Sequence, residues 1–100
     1  MMRSERLLSR VLLKAEFWRL HGDEVPVERQ RKVLNKLLDA GRDGFEGGLT
    51  TRKYVSMTGA SRATVYRELA DLVEKGMLRP RAGHGRSASY ELVWPDDAFY

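Results

Sequence analysis

Residues 58–76 read T-G-A-S-R-A-T-V-Y-R-E-L-A-D-L-V-E-K-G, and they carry the clearest period in the chain. Val65, Leu69, Leu72 and Val73 fall at i, i+4, i+7 and i+8, which lays one apolar stripe along a helix. Ser61 suits the N-cap, because its hydroxyl can accept from an amide that the first turn leaves unsatisfied, and Gly76 suits the far end. Gly59 and Ala60 supply a tight connection to whatever precedes. Turning about 100° per residue from Val65 brings Ala63, Thr64 and Arg67 to the outer side, with Tyr66 on the flank. Ala70, Asp71 and Glu74 follow on that side, so the open face begins neutral to basic and becomes acidic.

Upstream, Thr50 or Thr51 can cap a helix running to about Thr58, to which Tyr54, Val55 and Met57 lend apolar contacts. Leu49 and Thr50 can form a very short strand. Before them, G-R-D-G-F-E-G-G holds four glycines in eight residues and reads as a loop, with Phe45 as a plug into the core. Residues 27–40 form a helix with Val33, Leu34, Leu37 and Leu38 on its buried stripe and Gly41 as a left-handed cap. Residues 3–20 form an amphipathic helix in which Leu8, Val11, Leu12, Ala15 and Trp18 recur at helical spacing between Arg6, Arg10, Lys14 and Arg19. Gly22, Asp23 and Pro26 break it.

Downstream, M-L-R-P-R-A and S-A-S-Y-E-L-V-W flank the tight segment G-H-G, which predicts a hairpin with Leu78, Tyr90 and Leu92 facing inward. Pro80 requires an edge position or an interruption, since it has no amide to give a ladder. The order helix, helix, short strand, helix, turn, helix, hairpin predicts a mainly α fold with a small β-hairpin. It is that of a winged helix-turn-helix over residues 27–94, preceded by an N-terminal linker or packing helix (1–26) and followed by a tail (95–100).

The composition narrows the chemistry. One hundred residues make one modest core. Without cysteine, and with two histidines, neither a disulfide framework nor a structural zinc site is expected, and no cofactor is implied. No apolar run approaches a membrane span and the N-terminus lacks the features of a signal peptide, so a cytoplasmic protein with no membrane partner is expected. G-H-G-R lacks the strand-loop-helix setting of a phosphate loop, and no Ser/His/acid arrangement stands out, so no enzymatic activity is expected.

A net charge of +4 suggests a polyanionic partner, and its distribution points to duplex DNA. A helix entering the major groove by its N-terminal end needs a neutral or basic start. Ala63 lets a backbone approach, Thr64 can bond a base or phosphate, and Arg67 can reach guanine with two bonds. Ser61, Arg62 and the first free amides suit phosphate oxygens, with Tyr66 beside them. Arg52 and Lys53 are candidate phosphate contacts one helix earlier. The hairpin tip, free of acids, adds Arg81, His84 and Arg86 for phosphates or a minor groove. The plainer alternative is a capped structural helix beside a solvated turn. The N-terminal stripe of Leu8, Val11, Leu12, Ala15 and Trp18 either packs on its own domain or forms an interaction or dimerisation seam.

K-A-E-F-W, E-R-Q-R-K-V-L-N-K-L-L-D-A-G, G-F-E-G-G-L-T-T-R-K-Y-V-S-M-T-G-A-S-R-A-T-V-Y-R-E-L-A-D-L-V-E-K-G and G-H-G-R-S-A-S-Y together resemble the C-terminal segment of bacterial Fic-family proteins. The resemblance spans about residues 14–93; Q-R-K-V-L-N-K-L-L-D and G-G-L-T-T-R-K-Y are its most specific parts. S-R-A-T-V-Y-R is also similar to many bacterial transcription regulators. Fic-family proteins join a helical AMP-transferring domain to a winged helix, so the resemblance implies a winged-helix module whose residues 14–18 lead from such a domain. The family's catalytic motif is a histidine followed by an acidic residue and G-N-G-R. Here G-H-G-R lies in a hairpin without the upstream histidine, so the transferase activity does not carry over. Two expectations follow: a duplex DNA-binding module, or a module that docks on a Fic-type catalytic domain or on a second copy of itself.

Overall fold

The computed structural model describes residues 2–41, 45, 47–81 and 89–95, with residues 2–10 described by their backbone alone. Four α-helices and three short strands follow in the order α1 (Met2–His21), α2 (Glu28–Ala40), β1 (Leu49–Thr50), α3 (Thr51–Thr58), α4 (Arg62–Glu74), β2 (Leu78–Pro80) and β3 (Ser89–Leu92). A 3-10 turn, Gly22–Glu24, links α1 to α2. This is the mainly α arrangement of a winged helix-turn-helix with an added N-terminal helix.

The helices pack in sequence, α1 on α2, α2 on α3 and α3 on α4, and the sheet closes the far side. Val33, Leu34, Leu37 and Leu38 of α2 meet Val65, Leu69 and Leu72 of α4 in one core, joined by Tyr54 of α3 and by Leu49, Leu78 and Leu92 from the sheet. Met77 and Trp94 border the strands and are buried too, and Phe45 packs against the same core from its loop. Phe17 of α1 is fully buried in that core, so α1 is part of the folded body.

The sheet is antiparallel in the order β1-β3-β2. Leu49 stands opposite Tyr90, Leu78 opposite Leu92, Arg79 opposite Glu91 and Pro80 opposite Tyr90. Pro80 therefore ends an edge strand, where its missing amide leaves the ladder intact. Leu78 and Leu92 are buried as their alternation requires, and Tyr90 is half-buried against the core. The two residues of β1 pair with β3, so the hairpin gains a third strand from forty residues earlier in the chain.

The face of α1 that packs differs from the stripe read in the sequence. Val11, Leu12 and Ala15 are exposed, whereas Phe17 is buried and Leu13 and Trp18 pack against the core. The side chain of Leu8 lies outside the described residues. Trp18 is held by a bond from its indole Nε1 to Asn35 Oδ1 at 2.7 Å, and the Arg31 guanidinium lies 4.5 Å from its ring centroid. Arg31 also donates to the Gly22 and Val25 carbonyls at 3.0 and 2.9 Å, which fixes the bend between α1 and α2.

Candidate nucleic-acid interface

The turn between α3 and α4 is pinned by side chains as well as by its glycine. Gly59 takes φ 73° and ψ 5°, a left-handed conformation, and its amide donates to the Val55 carbonyl at 2.7 Å. Thr58 Oγ1 donates to the Tyr54 carbonyl at 2.8 Å and accepts from the Ala60 amide at 3.2 Å. At the head of α4, Ser61 Oγ accepts from the Thr64 amide at 3.3 Å and donates to Thr64 Oγ1 at 3.1 Å. Thr50 caps α3 in the same way, accepting from the Lys53 amide at 3.1 Å.

The orientation of α4 is set from below by a buried carboxylate that the sequence reading passed over. Glu68 Oε1 accepts from the Tyr54 hydroxyl at 2.7 Å, and its Oε2 accepts from Arg29 Nε and Nη2 at 3.0 and 2.6 Å. One carboxylate thus ties α4 to both α3 and α2. A second tie runs through Gln30, whose amide donates to the Glu68 carbonyl at 3.2 Å and to Asp71 Oδ2 at 3.1 Å. Lys75 completes it, 3.1 Å from Asp71 Oδ2 and donating to the Glu24 carbonyl at 2.7 Å. Burial first, and the adjacent Glu68 charge second, push the Tyr54 hydroxyl well above its ordinary range. The bonds from Gln30 and Lys75 hold the Asp71 carboxyl below its usual range, and the bond to Glu68 raises Arg29.

A signal for Glu68 existed in the sequence. It stands three residues after Val65 and four before Leu72, inside the arc of the apolar stripe, where burying a charge is costly unless it is paired. The partner was not legible, because Arg29 lies thirty-nine residues away.

Arg62, Ala63, Tyr66, Arg67 and Ala70 are all exposed along α4, and Arg52 is exposed on the first turn of α3. Arg52, Arg62 and Arg67 have no ion-pair partner among the described residues. Thr64 differs from the expectation that it faces straight out. It is half-buried on the flank towards α2, and with Arg67 it borders a shallow groove of about 370 Å3 whose other wall is Val27, Arg29 and Gln30. Asp71 lines that groove as well, and its charge is engaged by Gln30 and Lys75 rather than open on the outer face.

The remaining candidates divide. Lys53 is spent locally, its ammonium donating to the Gly48 carbonyl at 2.8 Å and standing 5.7 Å from the Phe45 ring centroid. Arg81 is exposed just past β2, and its side chain runs across Gly48, where an added Cβ would stand 2.6 Å from Arg81 Cδ. Gly48 has φ +78°, so backbone conformation and close approach both call for glycine there. Arg79, two residues earlier on β2, pairs with Glu91 opposite it at 3.3 Å. His84 and Arg86 lie outside the described residues.

The candidate interaction seam lies on α1, which packs on α2. Val11 and Leu12, 58% and 63% exposed, share one side of the helix with the exposed Ala15, whereas Leu20, 47% exposed, stands about 180° round from Val11. None of the described helices is long and apolar enough to cross a membrane. Comparison with protein-family models and with curated proteins returns no match.

Proposed function

We propose that this chain is a winged helix-turn-helix module of a cytoplasmic transcription regulator that binds duplex DNA, with α4 as the recognition helix. The observation that carries the reading is where the unpaired cations stand. Arg62 and Arg67 occupy the first two turns of α4 without partners among the described residues, while most cations elsewhere are bonded to an acid or a carbonyl. Leaving arginines unpaired at a capped helix start gains nothing for the fold, and it suits a surface that meets phosphates and base edges. Arg67 reads a base edge; Ser61, Arg62, Arg52 and Arg81 hold the backbone, with Thr64 at the groove margin.

Fluorescence anisotropy on duplexes across a salt series tests this. Binding through several phosphates gives an affinity that falls log-linearly with salt, and no binding at about 50 mM salt with micromolar protein ends the reading. On a preferred site, Arg67→Ala costs roughly 1–3 kcal/mol, and a uniform loss on all sequences instead makes Arg67 a phosphate contact.

The exposed side of α1 supports a second reading, in which the module docks through Val11, Leu12 and Ala15 on a Fic-type catalytic domain or on its own copy. Sedimentation of the chain alone and with such a domain tests it. A monomer that binds no such domain removes this reading and leaves the first standing.

A further inference from the structure

We propose that the DNA-contacting surface continues from α4 onto α2, where Arg29, Lys32 and Lys36 take phosphate oxygens of the strand running beside the recognition helix. This inference rests on the DNA-binding reading and extends it to an element that reading does not use.

Arg29 is the joint between the two helices. It borders the groove that Thr64 and Arg67 line on α4, and it also borders a second shallow groove with Arg31, Lys32, Asn35 and Thr58. The two grooves therefore form one path from the recognition helix, past the end of α3, onto the open face of α2. Along α2, Arg29, Lys32 and Lys36 recur at i, i+3 and i+7, all exposed, over a rise of about 10 Å.

A basic helical stripe is usually only a solvated face, and two features set this one apart. First, the acids that could neutralise it are largely engaged elsewhere. Glu68 is occupied by Tyr54 and Arg29, Asp71 by Gln30 and Lys75, and Asp39 by Lys14 at 2.7 Å, which leaves Glu28 as the open acid lining the path. Lys32 and Lys36 have no ion-pair partner among the described residues. Second, Arg29 is held before any ligand arrives. Its Nε and Nη2 are bonded to a carboxylate that is itself fixed by Tyr54, while the side chain remains 47% exposed. A guanidinium locked on one edge and open on the other loses little freedom when an anion meets the open edge.

The test replaces the two exposed lysines, since removing Arg29 would strip the buried Glu68 of its partner. The Lys32→Gln/Lys36→Gln double variant and the parent chain are titrated with duplexes of mixed sequence by anisotropy across a salt series, beside Arg67→Ala. Two lost phosphate contacts lower the slope of log K against log salt by about 1.8 and weaken binding on the order of tenfold or more near 0.1 M salt, equally on every sequence. An unchanged melting temperature certifies that the fold is intact. If the double variant keeps the parent's affinity and slope while Arg67→Ala loses affinity, the extension onto α2 is wrong and the DNA-binding reading stands. If the parent chain binds no duplex at all, both fall together.

Discussion

The helices α1 and α4 invert each other. On α1, Lys14 reaches Asp39 and Arg19 pairs with Glu16, so these cations are neutralised, while Val11, Leu12 and Leu20 are left in the open. On α4 the stripe of Val65, Leu69 and Leu72 is inside, and the unpaired charges of Arg62 and Arg67 are outside beside the exposed Tyr66. An uncovered apolar strip lowers its free energy by meeting another apolar surface, and an unpaired basic end does so by meeting an anion. Two helices of one small fold thus favour partners of opposite chemistry. The anchors differ as well: α1 is held by the buried ring of Phe17 and by part-exposed bonds from Trp18 and Lys14, whereas α4 adds to its stripe the buried tie from Glu68.

The largest effect comes from breaking the apolar anchor. Phe17→Ala should lower stability by about 3–5 kcal/mol in a chemical denaturation series. A loss near 1 kcal/mol would mean that α1 merely leans on a body able to stand without it. Next is the polar anchor of α4. Tyr54→Phe leaves Glu68 Oε1 without its donor and should cost about 1–2 kcal/mol at neutral pH. The hydroxyl's folded pKa lies above its unfolded one, so this stabilisation is whole below about pH 10 and is lost as pH climbs beyond, at roughly 1.4 kcal/mol per pH unit. Ultraviolet titration should therefore show one of the four tyrosines ionising only as the chain unfolds, and Tyr54→Phe should abolish that step. Ionisation of Tyr54 in the folded state would contradict the buried bond.

Ser61→Ala, at the head of α4, should cost about 1 kcal/mol in the same denaturation series, the usual worth of an N-cap. A negligible cost would leave anion binding as the better account of that serine. Smallest of all is Leu12→Lys, expected within about 0.5 kcal/mol of the parent because the side chain is exposed. The informative measurement there is sedimentation at high concentration: any self-association through α1 should vanish with the substitution.

How much the sequence told depended on whether the deciding contact was local. The stripe of α4, the caps Thr50 and Ser61, and the left-handed Gly59 and Gly76 are set within a few residues of each other, and they stand where the pattern put them. Pro80 restricted its strand by chemistry alone to an edge or an interruption, and the register makes it the end of an edge strand. The buried face of α1 was not legible, because apolar residues at 11, 12, 13, 15, 17, 18 and 20 surround the helix and its period favours no side. The position of α2 chooses Phe17 and Trp18. Glu68 stood within the arc of the stripe, but what made its burial tolerable was not legible, since Arg29 and Tyr54 reach it across the fold. In the candidate site, the outward turn of Arg67 was legible, whereas the lean of Thr64 towards α2 and the local use of Lys53 required the packed neighbours.

The indole of Trp18, bonded to Asn35 and roofed by Arg31, gives the chain an optical gauge of its own. Its emission should shift to the red when α1 peels from α2, and a Trp94→Phe background would let that detachment be timed separately from the melting of the sheet.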